Sequence, residues 1–326
     1  MAKAEQLIQL LRSHIEGNDE YFYTVAMQVA AHEARMGHSK LAQELKQLID
    51  KAKSKNERKN KVINLVRHTH ELEAFLSISE PTIKLNELTF SDKIKLTFKR
   101  IILEFRQQSK LREHGLHPRR KFLLYGPPGT GKTVTASALS SELNLPLFTI
   151  RLDGLITKYM GETASKLRQV FDSMRTAQGI YFFDEFDAIG SHRHSPNDLG
   201  EIRRVLNSFL TFMEEDTSDS LIIAATNYIE SIDFALFRRF DDVIPYELPE
   251  KSKIRPIIEN RLYKFKMPEI DWTVIEREAS GLSHAEITRA CDDAAKMAVL
   301  EKNGLITTEE IFSMIQERKT ASHKKN

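Results

Sequence analysis

The chain has 326 residues, 41% hydrophobic and 29% charged, enough apolar material for an ordinary buried core and enough length for about two or three domains. Its formal net charge of +2 is too near balance to mark a nucleic-acid or acidic-membrane partner by charge alone. A single cysteine, Cys291, excludes an intramolecular disulfide, no apolar run reaches the length of a membrane span, and the start Met1-Ala2-Lys3-Ala4 lacks a signal peptide's apolar core, so a cytoplasmic protein is expected.

In the first 50 residues, apolar side chains recur at helical spacing. They are Leu7, Leu10, Leu11 and Ile15, then Phe22, Val25, Ala26 and Val29, then Leu41, Leu45, Leu48 and Ile49. Three short helices are predicted, broken at Gly17-Asn18 and at Gly37-His38-Ser39, where glycine ends one helix and Asn or Ser caps the next. The polar stretch from Lys51 to Lys61 reads as a solvated joint, and the segment after it to about Pro81 carries no clear pattern.

From about Lys121, short apolar strands alternate with amphipathic helices, the pattern of a parallel sheet covered on both faces. The predicted strands are Phe122–Tyr125, Leu147–Leu152, Ile180–Asp184, Leu221–Thr226 and Asp242–Tyr246. Leu167, Val170, Phe171 and Met174 repeat at helical spacing and belong to core packing. After Pro249 only helices are predicted, over 254–265, 272–279, 284–300 and 308–317. The expected organisation is a helical N-terminal domain with its linker (1–80), an α/β domain (81–248), and a C-terminal helical lid with a basic tail (249–326).

Two motifs carry chemistry. Gly126-Pro127-Pro128-Gly129-Thr130-Gly131-Lys132-Thr133 follows the first strand directly, and its glycines let successive amides face an anion at the positive end of the next helix. Lys132 is placed to reach the β and γ phosphates of ATP, and Thr133 to hold Mg2+. The second motif is the strand Ile180-Tyr181-Phe182-Phe183 ending in Asp184 and Glu185. A buried strand delivers such acids to the sheet's carboxyl edge, where Asp184 suits Mg2+ coordination or its outer sphere and Glu185 the polarisation of an attacking water. The eleven histidines, His192 and His194 included, form no metal-binding spacing and read as structural or surface residues.

From about Leu116 to its end, the chain resembles the AAA ATPase family, hexameric machines that remodel or unfold macromolecules. The resemblance implies a P-loop α/β fold with a helical lid, residues 126–133 as Walker A and residues 180–185 as Walker B. It implies that Asn227, after Ile222-Ile223-Ala224-Ala225-Thr226, orients the attacking water. It implies that Arg238 and Arg239 are arginine fingers acting on the neighbouring subunit's nucleotide, which requires an oligomer. Lys158-Tyr159-Met160-Gly161 resembles the substrate-gripping pore loop, with Tyr159 as the contact residue, and a second pore loop is expected near His192 to Asn197.

The chain departs from the family in three places. The arginine segment lacks a Pro-Gly insertion that many members carry. The lid has Gly281-Leu282-Ser283-His284-Ala285-Glu286 in place of the usual Gly-Ala-Asp run, with Gly281, His284 and Ala285 as expected adenine contacts. The usual Asp-Ile-Gly-Gly before Leu116 is missing, which leaves that side of the adenine pocket unassigned. The helical N-terminal module before a single AAA unit further resembles small bacterial ATPases that work with a separate subtilisin-like serine protease. These features imply ATP-driven remodelling of protein substrates through a ring's pore, with no membrane partner. A nucleic-acid-directed motor or loader, or an ATP-gated assembly switch, remain the alternatives.

Overall fold

A computed structural model describes residues 4–15, 19–50, 76–152, 162–187, 199–231, 234–301 and 304–323. The chain divides into two units, Met1–Thr69 and His70–Asn326.

The first unit contains α1 (Ala4–Ile15), α2 (Asp19–Arg35) and α3 (residues 39–50), the three helices expected from the apolar spacing. Gly37 adopts a left-handed φ of 85°. There the amide of Gly37 donates to Ala34 O and that of His38 to Glu33 O, the paired bonds that close a helix on a glycine. Val25, Ala30, Ala42 and Ile49 are buried, while Ile8, Leu11, Met36 and Leu48 are exposed.

The second unit opens with β1 (Leu76–Ser79), α4 (Asp92–Arg106) and α5 (Gln108–Glu113). Then strands and helices alternate: β2 (Lys121–Tyr125), α6 (Lys132–Leu143), β3 (Leu147–Arg151), α7 (Glu162–Thr176), β4 (Ile180–Asp184), α8 (Leu199–Glu215), β5 (Leu221–Thr226), α9 (Phe234–Phe237) and β6 (Asp242–Pro245). The five predicted strands are present with ends within one residue of expectation. The sheet order is β1-β3-β4-β5-β2-β6. Five strands run parallel; β1 pairs antiparallel with β3 at the edge and was not foreseen, because Leu76-Ser77-Ile78-Ser79 is short and apolar only at alternate positions.

Period-two alternation assigns the two faces. Phe122, Leu124, Ile180, Phe182, Leu221 and Ile223 pack with Ile94, Phe98 and Ile101 of α4 and Ala136 and Leu139 of α6. Phe183 turns the other way, 6.1 Å from the ring of Phe171 on α7 and 5.1 Å from that of Phe209 on α8. Burial of both faces explains why β2, β4 and β5 read as continuous apolar runs.

The lid comprises α10 (Lys251–Arg261), α11 (Trp272–Ala279), α12 (His284–Glu301) and α13 (Thr308–His323), around a core of its own that includes Ile254, Ile258, Ile275, Ile287 and Ile311. The helix predicted over 254–265 instead ends at Arg261, because the following chain turns to bridge Lys266 with Leu305. The last helix runs past the predicted end at Glu317 to His323. Apolar periodicity fades there, but Arg318 pairs with Asp293, and Lys319 Nζ lies 3.2 Å from Glu278 Oε1.

Candidate functional site

Because β2, β4 and β5 are parallel neighbours, their carboxyl ends share one edge of the sheet. Tyr125 pairs with Thr226 in register, and the amide of Gly126 donates to Thr226 O at 3.3 Å. The amide of Phe186 donates to Ala225 O at 2.8 Å. These contacts bring the start of the glycine loop, Asp184 and Glu185 at the end of β4, and Asn227 after β5 to the same edge.

The loop is tightly held. Gly126, Gly129 and Gly131 have φ of 145°, 76° and 100°, conformations that glycine adopts without a Cβ penalty. A Cβ on Gly126 would meet Tyr246 O at 1.9 Å. Thr130 donates its hydroxyl to Pro127 O at 2.8 Å. Gly131 caps α6 with no side-chain cap bond, so the first-turn amides face outward as an anion site. Lys132 is only 7% exposed, and its Nζ donates to Gly126 O at 2.7 Å and Pro127 O at 2.9 Å. Burial pushes its ammonium down to about 8, against the opposing pull of Asp184 and Asp187.

These residues fit a nucleoside triphosphate: outward amides, a helix N-terminus and a buried cation converge on the loop. The fit extends to Mg2+, since Thr133 Oγ1 donates to Asp184 Oδ2 at 3.2 Å and the two present the oxygen donors this ion takes.

Glu185 is exposed and holds a left-handed φ of 53°, with its amide donating to Asp184 Oδ1 at 3.0 Å. A non-glycine residue in that region costs on the order of 1–3 kcal/mol, and such strain concentrates at functional sites. Asp187 was missed by the sequence reading. Its Oδ1 accepts from Thr226 Oγ1 at 3.2 Å and from the Asn227 amide at 3.4 Å, while the Tyr228 amide donates to Thr226 Oγ1 at 3.1 Å. Asp187 thereby fixes the backbone that carries Asn227. The signal was the third acid of Asp184-Glu185-Phe186-Asp187.

Arg238 and Arg239 lie between α9 and β6, flanked by buried Leu236 and Phe240. Arg238 is exposed, whereas Arg239 Nε lies 2.5 Å from Glu214 Oε1.

The lid meets the loop directly. The Ala285 amide donates to Gly129 O at 2.9 Å, and a Cβ on Gly129 would come within 2.7 Å of Ser283 Oγ. Ser283 and Glu286 form a reciprocal cap: the Ser283 amide donates to Glu286 Oε2 at 2.7 Å and the Glu286 amide to Ser283 Oγ at 3.3 Å. His284 bonds the backbone of Thr89 ahead of α4, a residue the sequence reading left unassigned. Burial holds the His284 imidazole below its usual range, with the Thr89 bond opposing, and its Nδ1 is buried without a hydrogen-bond partner. A Cβ on Gly281, at φ 87°, would meet nothing within 4 Å, and this glycine acts as the turn into α12. The pore-loop residues Lys158, Tyr159, Met160 and Gly161, and the second loop at 192–197, lie outside the described residues.

Residues 122–248 match the ATPase family associated with various cellular activities (AAA). The chain is 33% identical over 320 residues to the uncharacterized AAA family ATPase y4kL of Sinorhizobium fredii, covering 97% of this chain and 96% of that protein. The chain belongs to the AAA family. It is 32% identical over 247 residues to a proteasome-activating nucleotidase of Saccharolobus islandicus, which covers 73% of this AAA chain and 63% of that protein. It is 31% identical over 251 residues to the ATP-dependent zinc metalloprotease FtsH of Lancefieldella parvula, covering 75% of this chain and 39% of that protein.

This AAA protein therefore binds nucleotide and hydrolyses ATP through a single AAA module. Among its described residues, no helix is long and apolar enough to cross a membrane.

Proposed function

We propose that this AAA ATPase spends ATP on remodelling or unfolding protein substrates, drawn through the central pore of a ring of six copies. The observation that carries the reading is the continuous match to ATPases named for proteasome activation and for ATP-dependent proteolysis, over 73% and 75% of this chain. Those names concern longer proteins, and their clients do not transfer.

In this reading the loop amides and Lys132 hold the β and γ phosphates, with Thr133 and Asp184 as the magnesium-side ligands. Bound Mg2+ supplies neutralisation of phosphate charge. Glu185, at the open end of β4, accepts a proton from the attacking water, and Asn227 orients that water from the adjacent strand end. Arg238 completes the site of the neighbouring copy. Its exposure supports that role, while the bond of Arg239 to Glu214 supports a bracing role for Arg239 within its own chain. His284, Ala285 and Thr89 flank the base, Tyr159 grips the client, and the N-terminal helices recruit the client or a separate subtilisin-like serine protease.

Affinity capture of tagged Glu185→Gln in ATP, with Glu185→Gln/Tyr159→Ala as control, tests this directly. Polypeptides held by the first variant and lost from the second are the expected outcome. Nuclease-sensitive DNA or RNA, or no bound material, would replace the remodelling reading with a nucleic-acid motor or an assembly switch.

A further inference from the structure

Two buried hydroxyls lie outside the machinery assigned so far. Tyr246, immediately after β6, is 3% exposed, and Thr135, in the second turn of α6, is fully buried. Tyr246 Oη lies 2.8 Å from Thr135 Oγ1, and Thr135 Oγ1 lies 2.8 Å from Gly131 O. A carbonyl only accepts, so Thr135 must give its proton to Gly131, and Tyr246 must give its own to Thr135. Both proton directions are thereby fixed, and the relay ends on the last glycine of the phosphate loop.

The other end of the loop touches the same residue. The Tyr246 amide donates to Tyr125 O at 2.7 Å, and the Tyr246 carbonyl occupies the space a side chain on Gly126 would need. The residue just after β6 therefore lies against the first glycine of the loop with its backbone and reaches the last through the Thr135 hydroxyl. Gly131 O also accepts the Thr135 amide at 2.9 Å, so two donors from one residue hold that carbonyl toward the helix interior. The Gly131 carbonyl and the Lys132 amide belong to a single trans peptide plane and point in opposite directions. Locking the carbonyl inward aims the Lys132 N–H outward, at the phosphate position.

Mere core filling does not account for the pair. Tyr246 belongs to a core cluster with Phe122, Leu124, Leu139 and Ile244, and burying its hydroxyl and that of Thr135 costs desolvation that apolar side chains of the same shape would avoid. Tyr246 also stands just ahead of α10, which begins at Lys251, so the lid's connection to the sheet passes through the residue that braces the loop.

We propose that Tyr246 and Thr135 are positioning residues for ATP binding: a hydroxyl relay from the sheet–lid connection that sets the donor geometry of the phosphate loop. The proposal rests on residues 126–133 being the phosphate-binding loop, so Lys132→Ala is measured alongside. Tyr246→Phe, Thr135→Val, Thr135→Ser and the Tyr246→Phe/Thr135→Val double variant are compared in the full chain. Readouts are the Kd for a fluorescent ATP analogue, kcat and KM for ATP, and thermal unfolding.

Each of Tyr246→Phe and Thr135→Val should weaken nucleotide Kd and raise KM by about three- to tenfold, the range expected for one hydrogen bond, with kcat nearly unchanged. The double variant should be no worse than the singles, since either change breaks the same chain of bonds. Thr135→Ser should recover the affinity lost in Thr135→Val. Losses that add in the double variant, or a lowered unfolding temperature with Kd and KM at wild-type values, would overturn the relay. Retention of nucleotide by Lys132→Ala would instead overturn the loop assignment beneath it.

Discussion

Lys132 and the Arg238 of a neighbouring copy are the two cations we propose for one triphosphate, and the fold treats them in opposite ways. Lys132 is buried and tied to its own loop, whose first glycine lies against Tyr246, whose last is linked to Tyr246 through Thr135, and whose Gly129 accepts a bond from the lid. Arg238 stands exposed on the connection from β5 to β6. The contrast separates two tasks. In the proposed function, grip on the phosphates is built into the interior of one chain, where desolvation strengthens it, whereas completion of the catalytic charge is left to a surface presented by a second copy.

The largest test of that contrast is Arg238→Ala, for which we expect kcat to fall by about 10³ or more, as for an arginine finger, with nucleotide affinity retained. Arg239→Ala should act differently. It removes a half-exposed pair with Glu214 and should cost no more than about 1 kcal/mol in chemical denaturation. Equal losses of kcat in the two variants would erase the distinction. Glu185→Gln should lower kcat by about 10²- to 10⁴-fold, the range for a positioned proton acceptor, while a fluorescent nucleotide still binds.

Within the buried half, Gly126→Ala should destabilise the fold by more than about 4 kcal/mol, because the new carbon meets a backbone oxygen that cannot yield. Gly131→Ala faces open space and should cost only the left-handed backbone strain, about 1–2 kcal/mol. Asp187→Asn should lower kcat by roughly tenfold with KM little changed, since one bond that fixes the Asn227 backbone is weakened.

The smallest effect is the pH dependence. Lys132 sits near 8 in the folded chain against an ordinary 10.5, so between those values the unfolded chain binds more protons and folded stability rises with pH. Phosphate binding needs the ammonium, so above pH 8 ATP affinity should fall and binding should take up a proton. Calorimetry in buffers of different ionisation enthalpy, paired with denaturation from pH 7.5 to 9.5, should show affinity and stability moving in opposite directions. Parallel trends would contradict a buried, titrating Lys132.

Much of this was legible in the sequence for one physical reason: strands buried on both faces write unbroken apolar runs, and the chemistry sits where those runs stop. Gly126, Asp184 and Asn227 each follow such a run, so their shared edge followed from the strand pattern once a parallel sheet was assumed. What stayed hidden depends on partners distant in sequence. β1 needs β3 to complete it, the last turns of α13 are held by ion pairs to Asp293 and Glu278, and Thr89 gains meaning only when His284 lands on it. Tyr246 reads as one more apolar residue at a strand end until its hydroxyl is seen to reach Thr135.

The division between a buried grip and a borrowed arginine is tested most directly by mixing two inactive proteins, Glu185→Gln and Arg238→Ala. Each alone should hydrolyse ATP at background rate. Mixed before assembly, they should recover activity, because a chain with intact Glu185 can receive Arg238 from a Glu185→Gln neighbour. A mixture no more active than its components would place the whole site within a single chain and contradict the account.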